Sequence, residues 1–346
     1  MTRRQAVLRG GPEPLSREFG LLLLDLDGVV YLLDHPIEGV IETLAAHRGE
    51  GGRVVFVTNN ASRSPETVAG ALTGMGVDAE PDEVLSSSRT AARVLAERVP
   101  EGSTVLVIGT DSLADEVRAV GLKPVDSGDG SPAAVVQGYA ADVSWRELAE
   151  ATVAVRGGAL WVATNPDLTL PSKRGPLPGN GALIGAVSTA VGRGPDIVAG
   201  KPGPAMFRQG AQVAPDLSAL VVGDRWDTDI EGAVAAELPS LLVLSGIVGP
   251  ADVLRIPENS RPAYLGWSLA DVRVAHAAPE WLSGSVVACA GWEASAEADA
   301  LRLSGSGEPL DALRALAELA WGVPSWERVE ADGAAAGEAL RELRIG

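Results

Sequence analysis

The chain has 346 residues, and 46 acidic against 28 basic side chains leave it a formal charge of −18. That excludes sequence-independent binding to nucleic acid, which needs a basic face to displace counterions. An apolar share of 46% supports large cores, and the length suits two or three domains rather than one.

The N-terminal "MTRRQAVLRGGPEPLSREFG" lacks the apolar run of a secretory signal. No apolar stretch reaches the roughly 20 residues of a membrane span. A cytoplasmic protein without a membrane partner is therefore expected, with residues 1–17 as a flexible tail. Seven short apolar, β-branched runs follow, each ending in polar or Gly-rich residues: 21–28, 53–60, 104–110, 133–139, 159–167, 218–225 and 240–246. Runs without alternation predict strands covered on both faces. Helical patterns lie between them. In "SPETVAGALTGMGV", Ser64 is placed to cap, Pro65 takes the first helical position, and Val68, Leu72 and Met75 share a face. "RTAARVLAERV", "DSLADEVRAVGL" and "SWRELAEATVAVRGG" read the same way, and the alternation predicts a parallel α/β class. Between them, "LPSKRGPLPGNG" (170–181) reads as a loop. Cys289, the only cysteine, rules out an intramolecular disulfide and sits in an apolar run as a small buried hydrophobe. From about Pro262 the chain carries five of its eight tryptophans, alternating stretches and one amphipathic helix, "EPLDALRALAELAWG". This predicts a small separate α+β domain.

Chemistry concentrates at the strand ends, where open α/β sheets gather functional groups. "LLLLDLDG" ends in Asp25, Asp27 and Gly28, "RVVFVTNN" in Thr58, Asn59 and Asn60, and "SALVVGDR" in Asp224 with Asp229 five residues on. Lys201 stands in "VAGKPGPAMF" ahead of that last strand. Period-two alternation is expected to put Asp25 and Asp27 on one side, with Leu26 turned away. "DLDG" is not a calcium loop: Val29 fills the third ligand position and Val40 the last. Two or three acids, a hydroxyl, a lysine and free N–H groups suit one task. The acids can hold Mg²⁺ and the donors can hold phosphate oxygens. One carboxylate can attack while another moves the proton.

"DLDGVVY", "FVTNNASRSP", "AGKPGPAMF" and "VVGDRWDTDIEGA", in that order, resemble the four motifs of the haloacid dehalogenase superfamily in its phosphatase branch. The long stretch between the second and third motifs is similar to the subfamily with a large inserted α/β cap. The resemblance implies a doubly wound, Rossmann-like parallel core at 18–84 and 191–261 and a substrate-selecting cap at 85–190. The accessory domain would then be 262–346. It implies a Mg²⁺-dependent phosphomonoesterase acting on a small phosphorylated metabolite. Among subfamily substrates the arrangement is most similar to actinobacterial enzymes for glycerol 3-phosphate. Nucleotide, pyridoxal, sugar and p-nitrophenyl phosphates are the rivals, and a catalytically inactive binding protein on this scaffold is the alternative of another class. A homodimer is compatible with it.

By the same resemblance Asp25 is the nucleophile that becomes an aspartyl phosphate. Asp27 protonates the leaving oxygen and then activates water. Mg²⁺ is held by Asp25, the carbonyl of Asp27, and Asp224, with Asp229 binding through water or orienting the others. Gly28, Thr58, Asn59, Asn60 and Lys201 belong to the phosphoryl site. In the cap, Asn165 and Asp167 either line the face over the substrate or form a turn that bonds its own backbone. Arg174 and Lys173 are surface residues or ligand contacts, and Arg63 faces cap or solvent. His35, His47 and His276 have no metal-like spacing.

Overall fold

The computed structural model describes residues 6–170 and 174–346. All seven apolar runs form strands: Leu21–Asp25, Arg53–Thr58, Thr104–Ile108, Ala134–Gln137, Leu160–Ala163, Ala219–Gly223 and Ser240–Val243. Leu21 to Leu24 are wholly buried, as a strand covered on both faces requires. The expected helices form as Pro65–Gly74, Ser87–Ala96, Asp111–Ala119, Trp145–Arg156 and Pro309–Gly322. Ser64 caps the first by accepting the Thr67 N–H at 3.3 Å.

The chain divides into two compact units, Met1–Val54 with Ala214–Gly346, and Val55–Val213. In the first, four parallel strands lie in the order Tyr264–Gly266, Ser240–Val243, Ala219–Gly223, Leu21–Asp25. In the second, Arg53–Thr58 pairs in parallel with Val84–Ser86. A five-stranded parallel sheet follows, in the order Ile197–Val198, Leu160–Ala163, Ala134–Gln137, Thr104–Ile108, Lys123–Val125. In chain order this is 5-4-3-1-2, a doubly wound arrangement.

The C-terminal region is α+β. Glu280–Ser283, Val286–Cys289, Trp292–Glu297 and Ala300–Gly305 run antiparallel. Arg328–Asp332 then pairs parallel to Ala300–Gly305, because the helix Pro309–Gly322 carries the chain back across the sheet. The expectation of separateness needs correcting. One continuous apolar core joins Leu242, Val253 and Leu265 to Trp281, Val287, Leu301, Leu313 and Leu340. The packing of the region is shared, since the helix Pro309–Gly322 is buried along almost its whole length and so is covered on more than its sheet side.

Within the tail expected over 1–17, residues 6–17 are not free. Gly11–Pro14 pairs antiparallel with Ala275–His276, and Leu15–Glu18 is a helical turn. Leu8 is 2% exposed, and its N–H donates to Glu318 Oε2 at 3.0 Å. The buried Glu318 carboxylate also accepts from Val7 N–H and from Trp281 Nε1, the latter at 2.9 Å. A buried acid must be hydrogen-bonded, and these donors meet that demand. Cys289 is buried, and burial pushes its thiol up to about 12, so it packs as the apolar residue expected. Among the described residues no helix is long and apolar enough to cross a membrane.

Candidate active site

Register builds the acidic end of the first unit. Leu24 lies opposite Val222, so the next residues, Asp25 and the Gly223–Asp224 pair, emerge together at the carboxyl ends of neighbouring parallel strands. Asp229 returns from the tight turn Trp226–Ile230. One oxygen from each of Asp25, Asp224 and Asp229 lies within 4.8 Å of the others. Asp224 is 2% and Asp229 0% exposed. Like charges this close repel by about 3 kcal/mol per pair at an effective dielectric near 20. Such a set is a natural oxygen cage for a small divalent cation.

Backbone holds these carboxylates in place. Ile247 N–H donates to Asp224 Oδ2 at 2.8 Å, and Arg225 N–H donates to Asp229 Oδ2 at 3.1 Å. Gly28, with φ of +84°, and Gly246 press against the Asp224 carboxylate, and a Cβ on either would collide with it. Ser245 Oγ donates to the Gly28 carbonyl at 2.7 Å and fixes that turn. Sequence reasoning missed Ser245, Gly246 and Ile247, although the "SG" closing the apolar run 240–246 marks a strand end on the same side of the sheet. Gly246→Ala is expected to lower kcat/KM by about 10²-fold, since displacements near 1 Å cost that much. It should also raise the Mg²⁺ concentration for half-activation, with the circular dichroism spectrum unchanged. Steady-state rates across a Mg²⁺ series check this, and an unaltered half-activation point would refute the packing argument.

Asp27 stands apart from the three-acid cluster. The strand ends at Asp25, Leu26 is buried, and the chain turns at once: Val29, Val30 and Tyr31 N–H all donate to the Leu26 carbonyl. The turn, not strand alternation, therefore carries Asp27. Its side chain is exposed, with Tyr31 Oη donating to Oδ2 at 3.4 Å.

In the second unit, Thr58 ends its strand nearly buried, and its Oγ1 accepts the Asn60 N–H at 3.1 Å. The Asn60 side chain is spent locally, accepting from Ser62 N–H and Oγ. The Asn59 amide clasps the backbone of Lys201: Oδ1 accepts Lys201 N–H at 2.8 Å and Nδ2 donates to its carbonyl at 3.0 Å. Gly200 makes room, since a Cβ there would collide with the Thr164 carbonyl. Lys201 is 3% exposed. Asn165 makes the predicted turn, accepting Asp167 N–H at 3.2 Å, and also donates to the Asn59 carbonyl at 2.8 Å. Asp167 lies 3.4 Å from Asn59 Nδ2. Arg63 and Arg174 are exposed, and Lys173 lies outside the described residues. None of the three histidines belongs to the acidic cluster.

A haloacid dehalogenase-like hydrolase model matches residues 22–123, and a HAD-hydrolase-like model matches 198–272. The chain is 43% identical over 317 residues to the D-glycerol 3-phosphate phosphatase of Mycobacterium tuberculosis, covering 89% of this chain and 87% of that protein. The chain belongs to the haloacid dehalogenase-like hydrolases. A crystal structure of a glycerol phosphate phosphatase from M. tuberculosis in complex with magnesium superimposes with a TM-score of 0.87 at 40% identity. It covers 97% of this chain and 100% of that one. The acid sugar phosphatase of Staphylococcus saprophyticus is 33% identical over 240 residues, 68% of this chain and 91% of that protein. Residues 289–344 match a GCN5-related N-acetyltransferase-like domain model, a likeness that sequence reasoning did not find. For a hydrolase of this family the acidic cluster fits Mg²⁺: hard oxygen donors, two of three buried, with both flanking glycines keeping the space against Asp224 clear of side chains.

Proposed function

We propose that this hydrolase is a Mg²⁺-dependent phosphomonoesterase whose substrate is glycerol 3-phosphate. The observation that carries the reading is the Asp25–Asp224–Asp229 cluster at adjacent strand ends, in a chain 43% identical to a D-glycerol 3-phosphate phosphatase. Phosphoryl transfer asks a protein mainly for positioning and for neutralising charge. Asp25 attacks phosphorus and carries the phosphoryl group as an aspartyl phosphate. Asp27, in its exposed turn, gives its proton to the leaving oxygen and then takes one from the hydrolytic water. Thr58, the Asn59 N–H and Lys201 hold phosphoryl oxygens, and Gly28 lets the loop backbone approach them. Asp25, the Asp27 carbonyl, Asp224 and Asp229 would hold Mg²⁺, which supplies positive charge against the phosphate dianion when bound. Residues 85–190 act as the cap, with Asn165 and Asp167 on its substrate side. Arg174, exposed on the loop, is the cap residue assigned to a ligand's polar end. The loop 170–181 has no aromatic side chain to stack on a base or pyridine ring, which favours a small polyol phosphate. This reading puts the enzyme in the cytoplasm, where phosphorylated metabolites are made.

A phosphate-release screen in Mg²⁺ tests the proposal with glycerol phosphates, nucleoside monophosphates, pyridoxal phosphate and hexose phosphates. Glycerol 3-phosphate should give the highest kcat/KM. A tenfold preference for another ester class would overturn the substrate, and silence on every ester would overturn the activity.

A further inference from the structure

The Asn59–Lys201 clasp does not stand alone. Behind it lies a second asparagine, Asn165, whose Nδ2 holds the Asn59 carbonyl at 2.8 Å. Behind that lies a third. Asn180, the first residue of the helix Asn180–Val191, is 0% exposed. Its Nδ2 donates to the Asn165 carbonyl at 2.9 Å and to the Gln137 carbonyl at 3.1 Å. Each link joins a side-chain amide of one residue to the backbone of the next, so the side chains fix main-chain positions in series: Asn180 to Asn165, Asn165 to Asn59, Asn59 to Lys201. The chemistry demands amides. A hydrophobic residue at Asn180 would take a donor from the Asn165 and Gln137 carbonyls, and a carboxylate would face both oxygens. The Asn180 Oδ1 has no hydrogen-bond partner among the described residues, so the side chain holds its neighbours by donation alone, to the two carbonyls and, at 3.4 Å, to Thr164 Oγ1.

We infer that Asn180 is a positioning residue for the phosphoryl-binding pair Asn59 and Lys201, acting through Asn165. This rests on the phosphatase reading above. It explains why the first residue of this helix, directly after its N-cap Gly179, is a fully buried asparagine. The helix begins within the stretch 170–181, at Asn180, so the relay ties the start of that helix to the phosphoryl anchor.

The test compares the full chain with Asn180→Ser, which cannot span both carbonyls, and with Gly185→Ala on the same helix. That position is exposed, and a Cβ there meets nothing. KM for glycerol 3-phosphate, kcat, the inhibition constant of inorganic phosphate and Tm are measured in saturating Mg²⁺. For Asn180→Ser we expect KM and the phosphate inhibition constant each to rise about tenfold, with kcat falling less, and Gly185→Ala to match the parent. A lower Tm with both constants unchanged would make Asn180 merely structural and overturn the relay. Should Asn180→Ser not fold, Asn165→Ser breaks the next link and must move the same two constants. If the parent neither hydrolyses esters nor is inhibited by phosphate, the proposed function fails with it. A normal parent and a normal variant sink the relay alone.

Discussion

Asp25→Asn is expected to abolish turnover, lowering kcat by at least about 10³-fold on every ester the parent hydrolyses, because Asp25 is the proposed nucleophile and a neutral amide cannot replace it. Binding should survive: the phosphate inhibition constant ought to stay within a few-fold of the parent, since the phosphoryl donors sit on other residues. Stability should not fall. One of three carboxylates within 4.8 Å of each other is neutralised, so the metal-free variant should melt at or slightly above the parent's Tm. Single-turnover rates and thermal melts in chelator measure both halves. A variant retaining the parental rate would show that Asp25 is not the nucleophile, and with it would go the distinction between an enzyme and an inactive binding protein on the same scaffold.

Stripping divalent ions with a chelator is expected to take activity to background, at least about 10²-fold down, and added Mg²⁺ should restore it fully. Without the cation Asp25 must approach a dianion while flanked by two buried carboxylates of like charge. The same ion should stabilise the fold by mass action, about 2.7 kcal/mol at a hundred times its dissociation constant, so Tm should climb with Mg²⁺ concentration. In Asp224→Asn that climb should largely vanish, because its buried carboxylate, braced by the Ile247 N–H, is a central part of the cage. Full activity in exhaustively chelated protein would remove the metal from the reaction.

The two experiments draw on different layers of information. The strands and helices were legible locally. Unbroken apolar runs such as "LLLL" and "VVFV" can only be buried on both faces, and "SPET" carries its own cap and first-turn proline. Asp25 and Asp224 were legible too, because acids directly beyond apolar runs lie at strand ends, and Lys201 was legible from "AGKPGPAMF".

Three features were not. The N-terminal segment is short and Gly/Pro-rich, and nothing local says that Glu318, over 300 residues away, will accept its N–H groups. The shared core of the C-terminal region depends on what covers the helix Pro309–Gly322 on the side away from its sheet, which only the assembled fold decides. Asp27 lies beyond the strand, which ends at Asp25, because three N–H groups converge on one carbonyl, at Leu26.

What the sequence by itself determined is which reactive side chains are present and in which motifs they stand: two carboxylates two residues apart, a third motif's lysine and a distant acid pair. What only the tertiary structure decided is the support around them. Gly246 against Asp224, Ser245 on the Gly28 carbonyl and Asn180 behind Asn165 lie outside any short motif. They matter through contacts between segments remote in the chain. The physical reason is that a functional group is a local property of one residue. The space it must be left, and the hydrogen bonds that hold it still, belong to whatever folding brings beside it.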